Sequence, residues 1–182
     1  MIYRGKNCIA AAALALVAIL AGAATRVDMA ALFNGLALTP YASGTKPPEF
    51  AGRTLDGKTL SLTSLRGKVV ILNFWASWCL ECRSEMPAFE QLHREFAARG
   101  LAVVGVNARE TTSGLGRFAK ELRLTFPLVV DGDGEINRAY GIVGLPTTFF
   151  IARDGRAVAL AVGVREWRSA ATKNIITTLL AE

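Results

Sequence analysis

FWASWCLECRSEMP, residues 74–87, sets two cysteines three positions apart directly after an apolar run. The preceding stretch, KVVILNFWAS (68–77), is continuous, apolar and rich in β-branched residues, the pattern of a strand buried on both faces. From Cys79 to near Arg99 the spacing predicts a helix. Met86, Phe89, Leu92 and Phe96 recur on one helical face, and Gly100 supplies the stop. LAVVGVNA (101–108) reads as a second buried strand. Strand, helix and strand in this order form a βαβ unit with parallel strands and a right-handed crossover. The stretch therefore decides the fold class, an α/β domain with a cysteine pair at the head of a helix.

Working outward, a second helix is expected over about 114–124, a strand over FPLVVD (126–131) and a short helix or turn in GEINRAYGI (134–142). TTFFIARDGRAVALAVG (147–163) reads as a hairpin turning at Asp154-Gly155, and a last helix covers about 166–180. Upstream, FAGRTLDGKTLSLTSL (50–65) carries a second hairpin signal at Asp56-Gly57. NGLALTPYASGTKPP (34–48) has the Gly, Pro, Ser and Thr of a loop. Three parts are expected: a leader over 1–24, a linker over 25–46 and the folded domain over 47–182.

The chain has 182 residues, 52% of them hydrophobic and 20% charged, enough apolar material for a packed core. Its formal charge is +6, but the basic residues lie singly between Arg53 and Lys173 with acidic residues among them. No basic stripe forms, which argues against nucleic acid as a partner. In the first 24 residues, Arg4 and Lys6 precede CIAAAALALVAILAGAA (8–24), an uncharged apolar run. This order sends the body of the protein across the membrane. Ala21-Gly22-Ala23 offers a cleavage site, whereas the length of the run suits a retained anchor. Both fates stay open, and the reading favours an anchor in the inner membrane formed by residues 8–24. Cys8 has no small-residue lipobox before it and reads as an inert small hydrophobe.

Three chemistries compete for Cys79 and Cys82. A zinc or copper site needs further thiolate or imidazole ligands, and the exported part has no third cysteine and a single histidine, His93. Haem attachment needs a histidine directly after the second cysteine, where Arg83 stands. A structural disulfide closing so short a loop removes little unfolded-state entropy. Redox exchange accounts for more. Cysteines three apart on a helix share a face, and the first meets the positive end of the macrodipole, which favours its thiolate. Cys82, one turn inside, is suited to resolving a mixed disulfide. Glu81 beside Cys79 disfavours the thiolate and makes the pair more reducing, an effect that Arg83 opposes.

NFWASWCLECRSEMP (73–87) resembles the active-site motif of thioredoxin-fold proteins, in the WCxxC form with a proline five residues after the second cysteine. GLPTTFFI (144–151) resembles their second signature, in which the proline is cis and faces the disulfide. The opening PPEFAGRTLDGKTLSLTSLRGKVVILNFWASWC (47–79) is similar to the membrane-tethered TlpA/ResA-like branch. The resemblance covers about 47–181. It implies a thioredoxin-like fold, a mixed central sheet flanked by helices, and an extracytoplasmic thiol–disulfide oxidoreductase. It implies Cys79 as nucleophile, Cys82 as resolving thiol and Pro146 as the cis-proline. Glu110, in VNARE (106–110), occupies the acidic position of the branch and is expected to shuttle the proton of Cys82. The parallel strands put Cys79 and Glu110 at carboxyl ends of one sheet edge, and Pro146 starts a strand returning to it. Trp78, Leu145 and Pro146 are expected to bind substrate; Trp75 suits either docking or the core. Pro87 reads as a kink and His93 as a surface residue.

No cofactor and no metal are expected. The partners implied are a disulfide-containing exported protein, with apocytochrome c leading, and a membrane electron donor of the DsbD/CcdA kind. Reduction of such substrates during cytochrome c maturation is the resulting functional expectation. Three rivals remain: an exported thiol oxidant, a metallochaperone or assembly factor for a copper site, and a thiol peroxidase, against which stands Trp78 where those enzymes usually place Thr ahead of the reactive cysteine.

Overall fold

Six of the seven residues of Val69–Trp75 are apolar and the seventh, Asn73, donates from Nδ2 to the Thr148 hydroxyl at 3.0 Å, so the strand is buried along its whole length. A computed structural model describes residues 27–182. The leader over 1–24, with Cys8 and the anchor at 8–24, lies outside the described residues. The elements are α1 (Met29–Gly35), β1 (Thr39–Pro40), β2 (Ala51–Arg53), β3 (Thr59–Ser61), β4 (Val69–Trp75), α2 (Leu80–Phe96) and β5 (Leu101–Ala108). After these come α3 (Leu115–Glu121), β6 (Leu128–Asp131), α4 (Glu135–Ala139), β7 (Thr147–Ile151), β8 (Ala157–Val162) and α5 (Ala170–Ala181).

Six strands form a mixed sheet in the order β1-β8-β7-β4-β5-β6, and β2 and β3 make a separate hairpin. β4, β5 and β6 run parallel, while β7 is antiparallel to β4. This is a thioredoxin-like α/β fold, with the βαβ unit read from the sequence at its centre.

Alternate residues of β4 feed two cores. Val69, Ile71 and Trp75 join Met86, Phe89, Leu92 and Phe96 of α2 and Ile175, Ile176 and Leu179 of α5. Val70, Leu72 and Phe74 face the other way, onto Phe50, Leu62, Leu65, Ile136 and Tyr140. Trp75 therefore belongs to the core: it is fully buried and stacks on Phe118 with ring centroids 4.7 Å apart. Its indole crosses β5 at Gly105, where a β-carbon would come within 2.8 Å of the indole nitrogen. Only glycine permits that approach.

The described part of segment 25–46 corrects the expectation of a linker. Asp28 caps α1 by accepting from the amides of Ala30 and Ala31. Phe33, Leu36 and Leu38 are buried, and Thr39 and Pro40 pair with Leu160 and Ala159 of β8. The loop residues clustered after Leu38 masked this short apolar stretch, whose partners in β8 and α5 lie far along the chain.

Candidate functional site

Beyond Trp75 the chain turns through Ala76–Trp78 and enters α2 at Cys79. Cys79 takes the N-cap position in extended backbone, and its Sγ accepts the amide of Cys82 at 3.1 Å. A sulfur so placed meets both an unpaired amide and the positive end of the macrodipole, which stabilise its thiolate. Cys79 and Cys82 are joined as a disulfide, with Cα atoms 5.3 Å apart. Both cysteines are buried, Cys79 at 6% exposure and Cys82 at 1%, and of the two Cys79 is the one that lines an open groove.

The return strand completes the edge. Thr147, first residue of β7, pairs with Phe74 near the end of β4. Pro146, just before it, follows a cis peptide bond from Leu145 and is buried. A groove of about 560 Å3 opens here, and Trp78, Cys79, Leu145, Val143 and Arg109 are among its lining residues. Trp78 is 69% exposed, an apolar surface beside the reactive sulfur. The sheet edge thus gathers Cys79, Trp78 and Leu145 around one groove, and Pro146, next to Leu145 in the chain, is buried and does not line it.

Glu110 reaches this edge in a particular way. Its carboxylate accepts from the amide of Ser77 at 2.7 Å, from the Ser77 hydroxyl, and from Nδ2 of Asn107 at 2.6 Å. It hydrogen-bonds neither cysteine. Two donors on Ser77 fix it to the turn two residues before Cys79 and a third, on Asn107, to β5, so the carboxylate ties the end of β5 to the loop that positions the nucleophile.

The acid that sequence reasoning missed is Glu85. It is 3% exposed and lies one turn beyond Cys82 on α2. Its Oε1 accepts the backbone amide of Arg165 at 2.9 Å and the indole N–H of Trp167 at 2.5 Å, while Oε2 has no partner. Burial pushes its carboxyl up to about 7, and the two hydrogen bonds and the Arg165 charge offset only part of that rise. A signal existed in the sequence. Cys82, Glu85, Met86 and Phe89 stand at i, i+3, i+4 and i+7, which sets an acidic residue within an apolar stripe. Arg165 in turn donates through Nη2 to the carbonyl of Ala37, linking the N-terminal segment to this buried acid.

Other charges are engaged elsewhere. Arg83 pairs with Glu121 and lies over the Phe118 ring at 5.4 Å, so its opposition to Glu81 is weakened. His93 is half-buried against Phe126 rather than on the open surface. Among the described residues, no group of three or more His, Cys, Asp or Glu side chains could hold a metal ion. No helix among them is long and apolar enough to cross a membrane. A pair of sulfurs, one lining the groove and one buried a turn before an acid whose carboxyl is raised by burial, can carry out thiol–disulfide exchange.

Residues 43–159 match the AhpC/TSA family. The thiol-disulfide oxidoreductase ResA of Geobacillus thermodenitrificans is 38% identical over 125 residues, covering 69% of this chain and 72% of that protein. ResA of Bacillus thuringiensis is 37% identical over 115 residues, and the match spans 63% of this chain and 66% of the relative's length. Among solved structures, a putative thiol:disulfide interchange protein DsbE from Chlorobium tepidum superposes with a TM-score of 0.70 at 34% identity. That match covers 76% of this chain and 98% of the other.

Proposed function

The chain belongs to the AhpC/TSA family, among the ResA-like thiol–disulfide oxidoreductases, and from that premise we propose that it reduces disulfide bonds in exported proteins. The observation that carries this reading is the asymmetry of the pair: Cys79 caps α2 and lines the groove, while Cys82 is more deeply buried and does not line it.

In the reductive direction, the Cys79 thiolate attacks one sulfur of a substrate disulfide. A Cys79–substrate disulfide forms, and the other substrate sulfur leaves as a thiolate. Cys82 then loses its proton and attacks Sγ of Cys79. The mixed disulfide breaks, the second substrate thiolate leaves, and Cys79–Cys82 closes. Two electrons pass to the substrate, whose sulfurs take up the two protons that the cysteines release. Glu85 is the group we assign as acceptor of the Cys82 proton, because a carboxyl at about 7 exchanges protons readily near neutral pH. Glu110 acts as a positioning residue for the Ser77–Cys79 turn, and Trp78, Leu145 and Pro146 frame the bound substrate.

We place the protein outside the cytoplasm, held at the inner membrane by residues 8–24. Apocytochrome c, whose haem-attachment cysteines must be reduced, is the proposed substrate, and a DsbD/CcdA-like membrane protein the proposed donor. The domain boundaries at 24 and 46 belong to the same proposal, with the correction that Asp28–Pro40 packs on the domain.

The test is the reduction potential of the Cys79–Cys82 pair in defined thiol buffers. A reductase requires a value below about −220 mV, the upper end of the cytosolic glutathione poise. A value well above it would reverse the direction of electron flow and make the protein an oxidant.

A further inference from the structure

Arg109 lines the cysteine groove from the turn after β5, and Glu81 lines it from α2. Its backbone is unusual: φ is +60°, in the left-handed region that glycine enters freely and that a β-carbon disfavours. The surroundings hold it there. Its amide donates to the carbonyl of Asp131 at 3.0 Å, and the next residue, Glu110, is fixed by Ser77 and Asn107. A disfavoured conformation held by its neighbours at a site points to a use for the side chain.

The direction of that side chain is also set. Its stem crosses bare backbone at Gly134, where a β-carbon would meet Cγ and Nε at 2.9 Å. Among the described residues, Arg109 makes no ion pair and no side-chain hydrogen bond. Three carboxylates next to the turns after β5 and β6, those of Asp131, Asp133 and Glu110, are committed elsewhere. Asp131 accepts from the amides of Ile136 and Asn137 and from Nδ2 of Asn137. Asp133 accepts the amide of Glu135, and Glu110 is held as above. An unpaired guanidinium therefore stands on the groove that contains the reactive sulfur.

We propose that Arg109 is a specificity-determining residue that selects substrates carrying a carboxylate beside the disulfide cysteine. The proposal rests on the exchange reading of Cys79. Glu81 gives the α2 side of the groove the opposite sign, so a substrate carboxylate is turned towards β5. Without Arg4 and Lys6 of the leader the formal charge of the rest is still positive, and it draws acidic partners in the same sense.

The experiment uses the reduced protein and three synthetic peptides with one internal disulfide, flanked by Glu, Gln or Lys. Second-order rate constants are read from the oxidation of Cys79 and Cys82 at low salt. Wild type favours the Glu peptide over the Lys peptide by about fivefold, the scale of a rim charge pair. The preference fades as salt rises. Arg109→Lys keeps it, Arg109→Gln removes it and Arg109→Glu inverts it, an inversion that structural damage alone would not produce. The same Glu-to-Lys ratio in wild type and Arg109→Glu would overturn the proposal. A wild-type protein that reduces none of the peptides would bring down the exchange reading itself, and this inference with it.

Discussion

Replacing Glu85 with glutamine isolates the buried acid. Glutamine keeps the oxygen that accepts from Arg165 and Trp167 and places its amide where Oε2 has no partner. In the folded protein the wild-type carboxyl holds its proton up to about pH 7, against an ordinary value of 4.5. Between those values the folded state binds more protons than the unfolded one, so stability falls as pH rises. The stabilisation is complete below 4.5, is lost through 7, and amounts to about 3 kcal/mol at 1.36 kcal/mol per pH unit. The variant has no such group. Urea unfolding of both oxidised proteins from pH 4.5 to 8 should show wild type losing about 3 kcal/mol relative to Glu85→Gln. With an m-value near ~2 kcal/mol/M, the gap between the two midpoints changes by about 1.5 M. The constant cost of burying the amide cancels in this comparison. Parallel stability profiles over the whole range would refute both the raised acid and its assignment as the proton acceptor for Cys82.

Glu110→Ala leaves the amide and hydroxyl of Ser77 and Nδ2 of Asn107 without their acceptor. Thermal unfolding should drop by about 6 °C, corresponding to about 2 kcal/mol, together with a slower exchange rate. An unchanged melting temperature with lost activity would instead mark Glu110 as a direct proton carrier. Phe33→Ala tests whether α1 is part of the fold. A buried phenylalanine removed from a packed core costs about 3 kcal/mol, and calorimetry should register a fall near ~10 °C. No change would return residues 25–46 to the status of a linker.

The central βαβ unit was legible because its signals are local. β4 and β5 announce themselves as apolar runs, and α2 by the spacing of Met86, Phe89, Leu92 and Phe96. The two cysteines and Pro146 were legible for the same reason, since each sits in a short recognisable stretch. α1 was not, although Asp28 before Met29 is an N-cap signal. Seven residues carry little periodicity, and Phe33 and Leu38 find partners only after β8 and α5 have formed. Glu85 escaped for a related reason. An acidic residue on a helix reads as solvated, and its burial depends on Arg165 and Trp167, eighty positions away and more. Glu110 was placed at the end of β5 by the sequence, but its partners Ser77 and Asn107 were not read there. Its position at the end of β5 follows from strand order, whereas its attachment to Ser77 depends on how two loops meet.

Because the sulfur of Cys79 is also the cap of α2, the start of that helix and the affinity of the pair for electrons are one equilibrium seen from two sides. The amide of Cys82 donates to this sulfur at 3.1 Å in the oxidised form. An anionic sulfur in the reduced form accepts the same bond more strongly. Each ~1 kcal/mol by which the amide prefers the thiolate raises the potential by about 20 mV. Substitutions at Leu80 and Glu81 that firm or fray the first turn should therefore shift the potential of the pair as well as the stability of the helix start.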